Sequence, residues 1–244
     1  MKLGDIITDS IAYPIRNIKA LLLYFALAII IGIVAVLTGL GGFATGSINF
    51  GAGVFVGIIG IIVIICLLLL MLGFSLDIIK FGIDKKDDSP DIDFARQISH
   101  GLKYLVIGIV YLIIPFLIII ALSLIFNQLI TAILGIIIAL VFTFILAMAE
   151  CRLAKTNNLT YALNIKGAFD DLVEIGVGKV VITIITTLVV GFLITFIVLF
   201  ILGLIFGLDS TGVGGAIVTI ISTIVDSWYL FYQNRAIGLL YSEI

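Results

Sequence analysis

Residues 20–76 read ALLLYFALAIIIGIVAVLTGLGGFATGSINFGAGVFVGIIGIIVIICLLLLMLGFSL, 57 consecutive positions without an Asp, Glu, Lys or Arg. A helix crossing a bilayer needs about 20 apolar residues, so this block is long enough to cross twice. Its Gly, Ser and Asn residues gather in Gly41–Gly53, where helix propensity falls and a reversal forms easily. That predicts a first span over Ala20–Leu40 and a second over Val54–Leu76, joined by a turn in the glycine-rich stretch.

Working outward, three more blocks lack charge: Tyr104–Ala149, Val180–Leu208 and Ser210–Val225, 46, 29 and 16 residues long. The longest of these divides at Asn127 and Gln128, giving spans over about Tyr104–Phe126 and Leu129–Ala149. A fifth span is expected over Val180–Phe206. A loop holding Gly207, Asp209, Ser210, Gly212, Gly214 and Gly215 then leads to a sixth over about Ala216–Tyr232. The four blocks hold 148 of the 244 residues, and all 28 charges fall in the other 96. With 63% hydrophobic and 11% charged residues and a mean hydropathy of +1.40, against about 25% charged in a soluble domain, a water-soluble fold is excluded. The fold class expected is all-α: a polytopic membrane bundle of six transmembrane helices in three hairpins, forming one transmembrane domain over residues 1–244.

Six spans place both termini on one side of the membrane. All 13 basic residues lie before the first span, between the second and third, between the fourth and fifth, or after the sixth. Lys and Arg near span ends are retained on the cytoplasmic side, so both termini are predicted cytoplasmic, in the cell membrane. Asp5 and Asp9 interrupt the N-terminal positive region and the following apolar run is too long for a cleaved signal, so the first span is expected to remain.

Each hairpin is preceded by a polar segment of helical period. Leu3, Ile6, Ile7, Ile11 and Ile15 share a face in the first, which Pro14 should end or kink. The same holds for Phe94, Ile98 and Leu102 in the second, and for Tyr161, Ile165, Ala168, Phe169 and Leu172 in the third. These predict amphipathic helices lying in the cytoplasmic interface. For the latter two segments, the alternative is an extended end of the following span. The recurrence points to three repeats, residues 1–90, 91–160 and 161–244.

Net charge −2 and pI about 5.2 leave no basic surface for nucleic acid. Cys66 and Cys151 read as inert thiols, and a single histidine, His100, excludes a multi-histidine metal site. No phosphate-loop, HExxH or GxSxG pattern occurs, so no catalytic residue, metal or cofactor is implied and a non-enzymatic role is favoured. His100 is read as solvated, and Glu150, Arg152, Asp77 and Lys80 as interfacial anchors. The acidic stretch Asp84, Asp87, Asp88, Asp91 and Asp93 is read as a solvated connector.

Asp226 stands apart, because it falls just past the middle of the sixth span, where Asp costs about 2.5–3.5 kcal/mol. Thr219, Ser222, Thr223, Asp226 and Gln233 form one polar stripe with Tyr229 beside it. Thr183 and Thr187 on the fifth span, with Gly191 and Thr195, offer a facing surface of small residues and hydroxyls. Two readings stand side by side: Asp226 carries a proton or binds a cation or ligand, or it pins helix packing as a hydrogen-bonded neutral group. Correspondingly, the chain is either transporter-like or lipid-handling, with membrane lipids and a small-molecule or lipid substrate as partners, or a scaffold that uses its interfacial helices. Either is compatible with a homo-oligomer.

The motifs DSIAYP (Asp9–Pro14), SPDIDFARQISHGLKYLVIGIVYLIIP (Ser89–Pro115) and RAIGLLYSE (Arg235–Glu243) resemble the uncharacterised archaeal membrane proteins grouped as domain of unknown function 4013. The resemblance spans nearly the whole chain. It implies a multi-span membrane protein from an archaeal source and carries over no catalytic residue.

Overall fold

The computed structural model describes residues 1–207 and 212–244; Asp209 and Ser210 of the expected outer loop lie outside them. Among the described residues the chain is helical and contains no strand. The helices are α1 (Leu3–Arg16), α2 (Ile18–Ile48), α3 (Phe50–Ile83), α4 (Phe94–Ser123), α5 (Gln128–Thr156), α6 (Leu159–Ala162), α7 (Ile165–Ile175), α8 (Val177–Phe206) and α9 (Gly212–Tyr241). Six of them, α2, α3, α4, α5, α8 and α9, are long and apolar enough to cross a membrane. The protein is a multi-pass helical membrane bundle.

The helix boundaries follow local chemistry. Asn49, Asn127 and Asp93 each accept a hydrogen bond from the backbone N–H three residues on, capping α3, α5 and α4. Asn127 therefore marks the second reversal where its polarity placed it. The first reversal corrects the expected Gly41–Gly53 turn: α2 runs on to Ile48, and the break narrows to Asn49. Glycine costs a helix about 1 kcal/mol, whereas backbone groups left unpaired in lipid cost several each, so the helix continues. The glycines serve packing instead. A Cβ on Gly53 would come within 2.8 Å of the Gly42 carbonyl oxygen and 2.5 Å of the Gly46 Cα. Small residues let the hairpin backbones touch at their outer ends.

The leaders diverge from one another. The second is no separate helix, because α4 runs unbroken from Phe94 into the apolar span. The third divides, Tyr161 standing on α6 and Ile165–Leu172 on α7, which is parted from α8 at Gly176, whose φ of 103° is a backbone state L side chains rarely adopt. The first is α1, which continues through Pro14 and breaks at Asn17 rather than at the proline. Ile6 and Tyr13 of α1 are fully buried, and the helix packs on α9.

Burial is strongly one-sided. The buried residues of α3 cluster over Leu70–Gly82, those of α5 over Ile145–Ala154 and those of α9 over Ser227–Tyr241. All lie toward the end that carries the Lys and Arg residues, here the basic end. There the backbones cross closely: α3 meets α4 where Gly73 abuts Gln97 and Gly101 abuts Leu69, and meets α9 where Gly82 abuts Gly238. Toward the other end the helices expose Leu, Ile, Val and Phe on most of their surface. Spans of 29 to 34 residues extend about 45 Å or more at 1.5 Å per residue, longer than the roughly 30 Å hydrocarbon layer. In α3, α4, α5 and α9 the surplus holds charged residues at the basic end, among them Asp77, Arg96, Arg152 and Arg235, and this part projects beyond it, while the longer apolar runs of α2 and α8 are met by tilt. The hydrophobic effect needs water and lipid tails supply none between helices, so a tight core forms in the projecting collar, while in the membrane-embedded halves the hairpins pack loosely on one another although α2 and α3 stay in contact.

Candidate functional site

This loose packing leaves a lateral groove of about 560 Å³ between α2 and α9, lined by Ala28, Gly32, Ile33 and Val36 on one side and Ala216, Thr219, Ile220 and Thr223 on the other. Gly32 and Ala28 give it depth, since a Cβ on Gly32 would meet nothing within 4 Å. Two further grooves, of about 370 and 640 Å³, run along α4 and α5, one past Tyr111, Pro115 and Phe142 and the other past Gln128, Thr131 and Gly135.

The expected polar stripe divides between two environments. Thr219 and Thr223 line the α2/α9 groove, and Asp226 follows one turn toward the basic end, just before Ser227, where burial of α9 begins. Thr219 and Asp226 are exposed; Ser222, Thr223, Tyr229 and Gln233 are half-buried. Thr183 and Thr187 are fully buried on α8, on the other flank of α9, where the Tyr229 ring lies over Gly191. The threonine hydroxyls serve their own helices. Thr219 donates to the Gly215 carbonyl (2.9 Å), Thr223 to Thr219 (2.8 Å), Thr183 to Lys179 (2.8 Å) and Thr187 to Ile184 (2.8 Å). This satisfies their protons within the apolar span and leaves oxygen lone pairs available on the groove wall. Asp226 forms no ion pair among the described residues.

Below the groove the collar is tied by three buried ionic centres; Arg152 and Asp77 were expected as surface anchors and His100 as solvated, while Arg235 carried no expectation beyond its side of the membrane. Arg235 on α9 is 1% exposed. Its Nε donates to Asp9 Oδ2 (2.9 Å), its Nη1 to the carbonyls of Phe81 (3.1 Å) and Lys86 (2.5 Å), and its guanidinium stacks 4.7 Å from the Tyr13 ring centre. Asp9 also pairs with Arg16. Burial alone would raise the Asp9 carboxyl, but hydrogen bonds from Arg16 and Arg235 overcome it and hold the group below its usual range. Burial pushes the Tyr13 hydroxyl up to about 12, which keeps it a donor to the Asp88 carbonyl (3.0 Å).

Arg152 on α5 is the second centre. It pairs with Asp171 of α7 (2.8 Å), donates to the Tyr161 carbonyl (3.1 Å) and lies 3.6 Å from the Tyr161 ring centre. Tyr241 donates to the same Asp171 oxygen at 2.5 Å. Asp77 on α3 is the third, 5% exposed and held by Arg96, Gln97 and His100 of α4. His100 is therefore not the solvated side chain its neighbours implied. Of the two remaining expected anchors, Glu150 is half-buried and Lys80 is exposed. The one sequence signal for these centres was charge at the very lip of apolar runs, which looks the same whether the group snorkels to water or turns inward to a partner.

Among the described residues no cluster of His, Cys, Asp and Glu is arranged to hold a metal ion. A family model described as "Protein of unknown function (DUF4013)" matches residues 56–206. The match takes in Asp77, His100, Arg152, Thr183 and Thr187, while Asp9, Asp226 and Arg235 lie outside it. No curated protein and no solved structure matches the chain.

Proposed function

The chain belongs to this family of proteins of unknown function, and from that premise we propose that it is a lipid-handling membrane protein, binding an amphipathic lipid sideways between α2 and α9. The observation that carries the reading is the α2/α9 groove, an apolar trough that leads to an exposed carboxylate within the span. An acyl chain fits the aliphatic walls, and Asp226 meets a polar or cationic group at the chain's inner end. Asp226 lies where an unpartnered charge is costly, so it is the group a bound polar ligand would stabilise. The basic end faces the cytoplasm in this reading, by the placement of Lys and Arg.

Filling the groove tests it. Lipid extracted from protein purified in mild detergent should include a retained species from the wild type, and Gly32→Trp, which places a ring in open groove space, should lose most of it. Equal retention by the filled variant would overturn the lipid reading and leave the spans as an anchor for the collar.

A further inference from the structure

At the basic end, away from the α2/α9 groove, a cavity of about 170 Å³ lies between the end of α3, the following connector and the start of α4. Its walls include Asp77, Lys80, Phe81, Lys86, Asp91, Arg96 and His100. The buried carboxylate is already occupied: Asp77 Oδ1 is 2.9 Å from His100 Nδ1, and Oδ2 accepts from Arg96 Nη2 (3.2 Å) and Gln97 Nε2 (3.3 Å). Asp77 thus acts as a strut that orients donors. Arg96 bonds through Nη2, with a further contact to the Asp91 carbonyl (2.8 Å), which leaves Nη1 and Nε without partners among the described residues. His100, with Nδ1 on Asp77, directs Nε2 elsewhere, and Lys80 forms no ion pair among the described residues.

Neighbouring acids are only partly committed, the Asp91 carboxylate having no partner among the described residues. Asp87 pairs with Arg16 and Arg235, and Asp93 caps α4. Lys86 contacts Asp84 at 3.4 Å while more than half exposed, a pairing of the weak, displaceable surface kind. What remains is a small space in which the uncommitted donors of Lys80, Arg96 and His100 outnumber the one uncommitted carboxylate on the wall, Asp91. Its complement is a compact ligand with several acceptor oxygens and negative charge.

We propose that this pocket is an oxyanion site that takes a phosphate group, held by Lys80, Lys86, Arg96 and His100 and oriented by Asp77. The phosphate is carried on a lipid headgroup or is free in solution, and the two sources share this chemistry. The site stands apart from the groove, so either reading can fail without the other.

The full chain in detergent would be dialysed against radiolabelled inorganic phosphate and, in parallel, titrated with phosphatidic acid in phosphatidylcholine mixed micelles. Binding of either probe by the wild type is expected, inorganic phosphate identifying a free ligand and phosphatidic acid alone a headgroup. Lys80→Gln with Lys86→Gln should weaken that binding about tenfold or more. Lys19→Gln with Lys166→Gln removes the same charge from exposed positions outside the pocket and should change it less than about twofold. His100→Gln gives a second pocket variant without a change of lysine charge and should also weaken binding. Unfolding midpoints would confirm that each variant is folded. Failure of the wild type to bind either probe, or equal losses in the two lysine pairs, would overturn the site.

Discussion

Arg235 shows how one side chain joins distant stretches of the chain. It fastens α9 to α1 through Asp9 and to the α3–α4 connector through the carbonyls of Phe81 and Lys86. Removing one partner of a buried pair leaves the other uncompensated, so Arg235→Gln should lower stability by about 3 kcal/mol, measured as thermal unfolding in detergent. Asp9→Asn should cost less, about 1.5–3 kcal/mol, the worth of hydrogen bonds to a charged group. Its pH signature has a fixed sign. The folded Asp9 carboxyl titrates below its usual range, so its contribution is complete above the unfolded value near 3.9 and is lost as pH falls through the folded value. The gap between wild type and Asp9→Asn should stay level from pH 7 to about 4 and close below it; a gap that closes already near pH 6 would contradict the pairing. Asp226 makes a different prediction. Cysteines placed at Ser222 and Asp226 should react with a small thiol reagent and one at buried Thr187 should not, whereas full protection at all three would argue against an open polar path.

Glycine decides how the elements meet. Gly73 and Gly101 let α3 and α4 cross backbone to backbone, and a Cβ at either would enter the opposing main chain. Gly101→Ala should therefore destabilise by about 1–3 kcal/mol, as overpacking does. Gly108→Ala, where a Cβ meets nothing within 4 Å, should be neutral or stabilise by up to about 1 kcal/mol through helix propensity. Thermal unfolding of the two variants beside the wild type separates packing from propensity. The same residues show what sequence makes legible at this scale. Charge-free length revealed six spans, and Asn127 marked its reversal because a capping side chain is a local signal. Gly41–Gly53 misled because low propensity is local, whereas the need to pair backbone groups in lipid and the contact of Gly53 with Gly42 and Gly46 belong to the surroundings. Asp77, Arg152 and Arg235 stayed hidden for the same reason, since partners such as Asp9 lie far along the chain from the charge they bury.

For the whole molecule, the confinement of Lys and Arg to one end predicts orientation. A reporter fused after Ile244 should be cytoplasmic and one inserted near Ser47 external, and the reverse result would invert the bundle. The gathering of Lys and Arg at one end was legible because charge segregation along the chain becomes sidedness once the helices cross. The α2/α9 groove was not, because it depends on how far apart two helices stand rather than on what either contains. The projecting collar has a mechanical consequence. With the helices locked at the basic end by ion pairs and glycine crossings, bilayers of different thickness should leave the collar unchanged and be met by tilting of the hairpins relative to one another. The width of the lateral opening should then vary with the thickness of the surrounding membrane, so that the bilayer itself sets how wide the entrance stands.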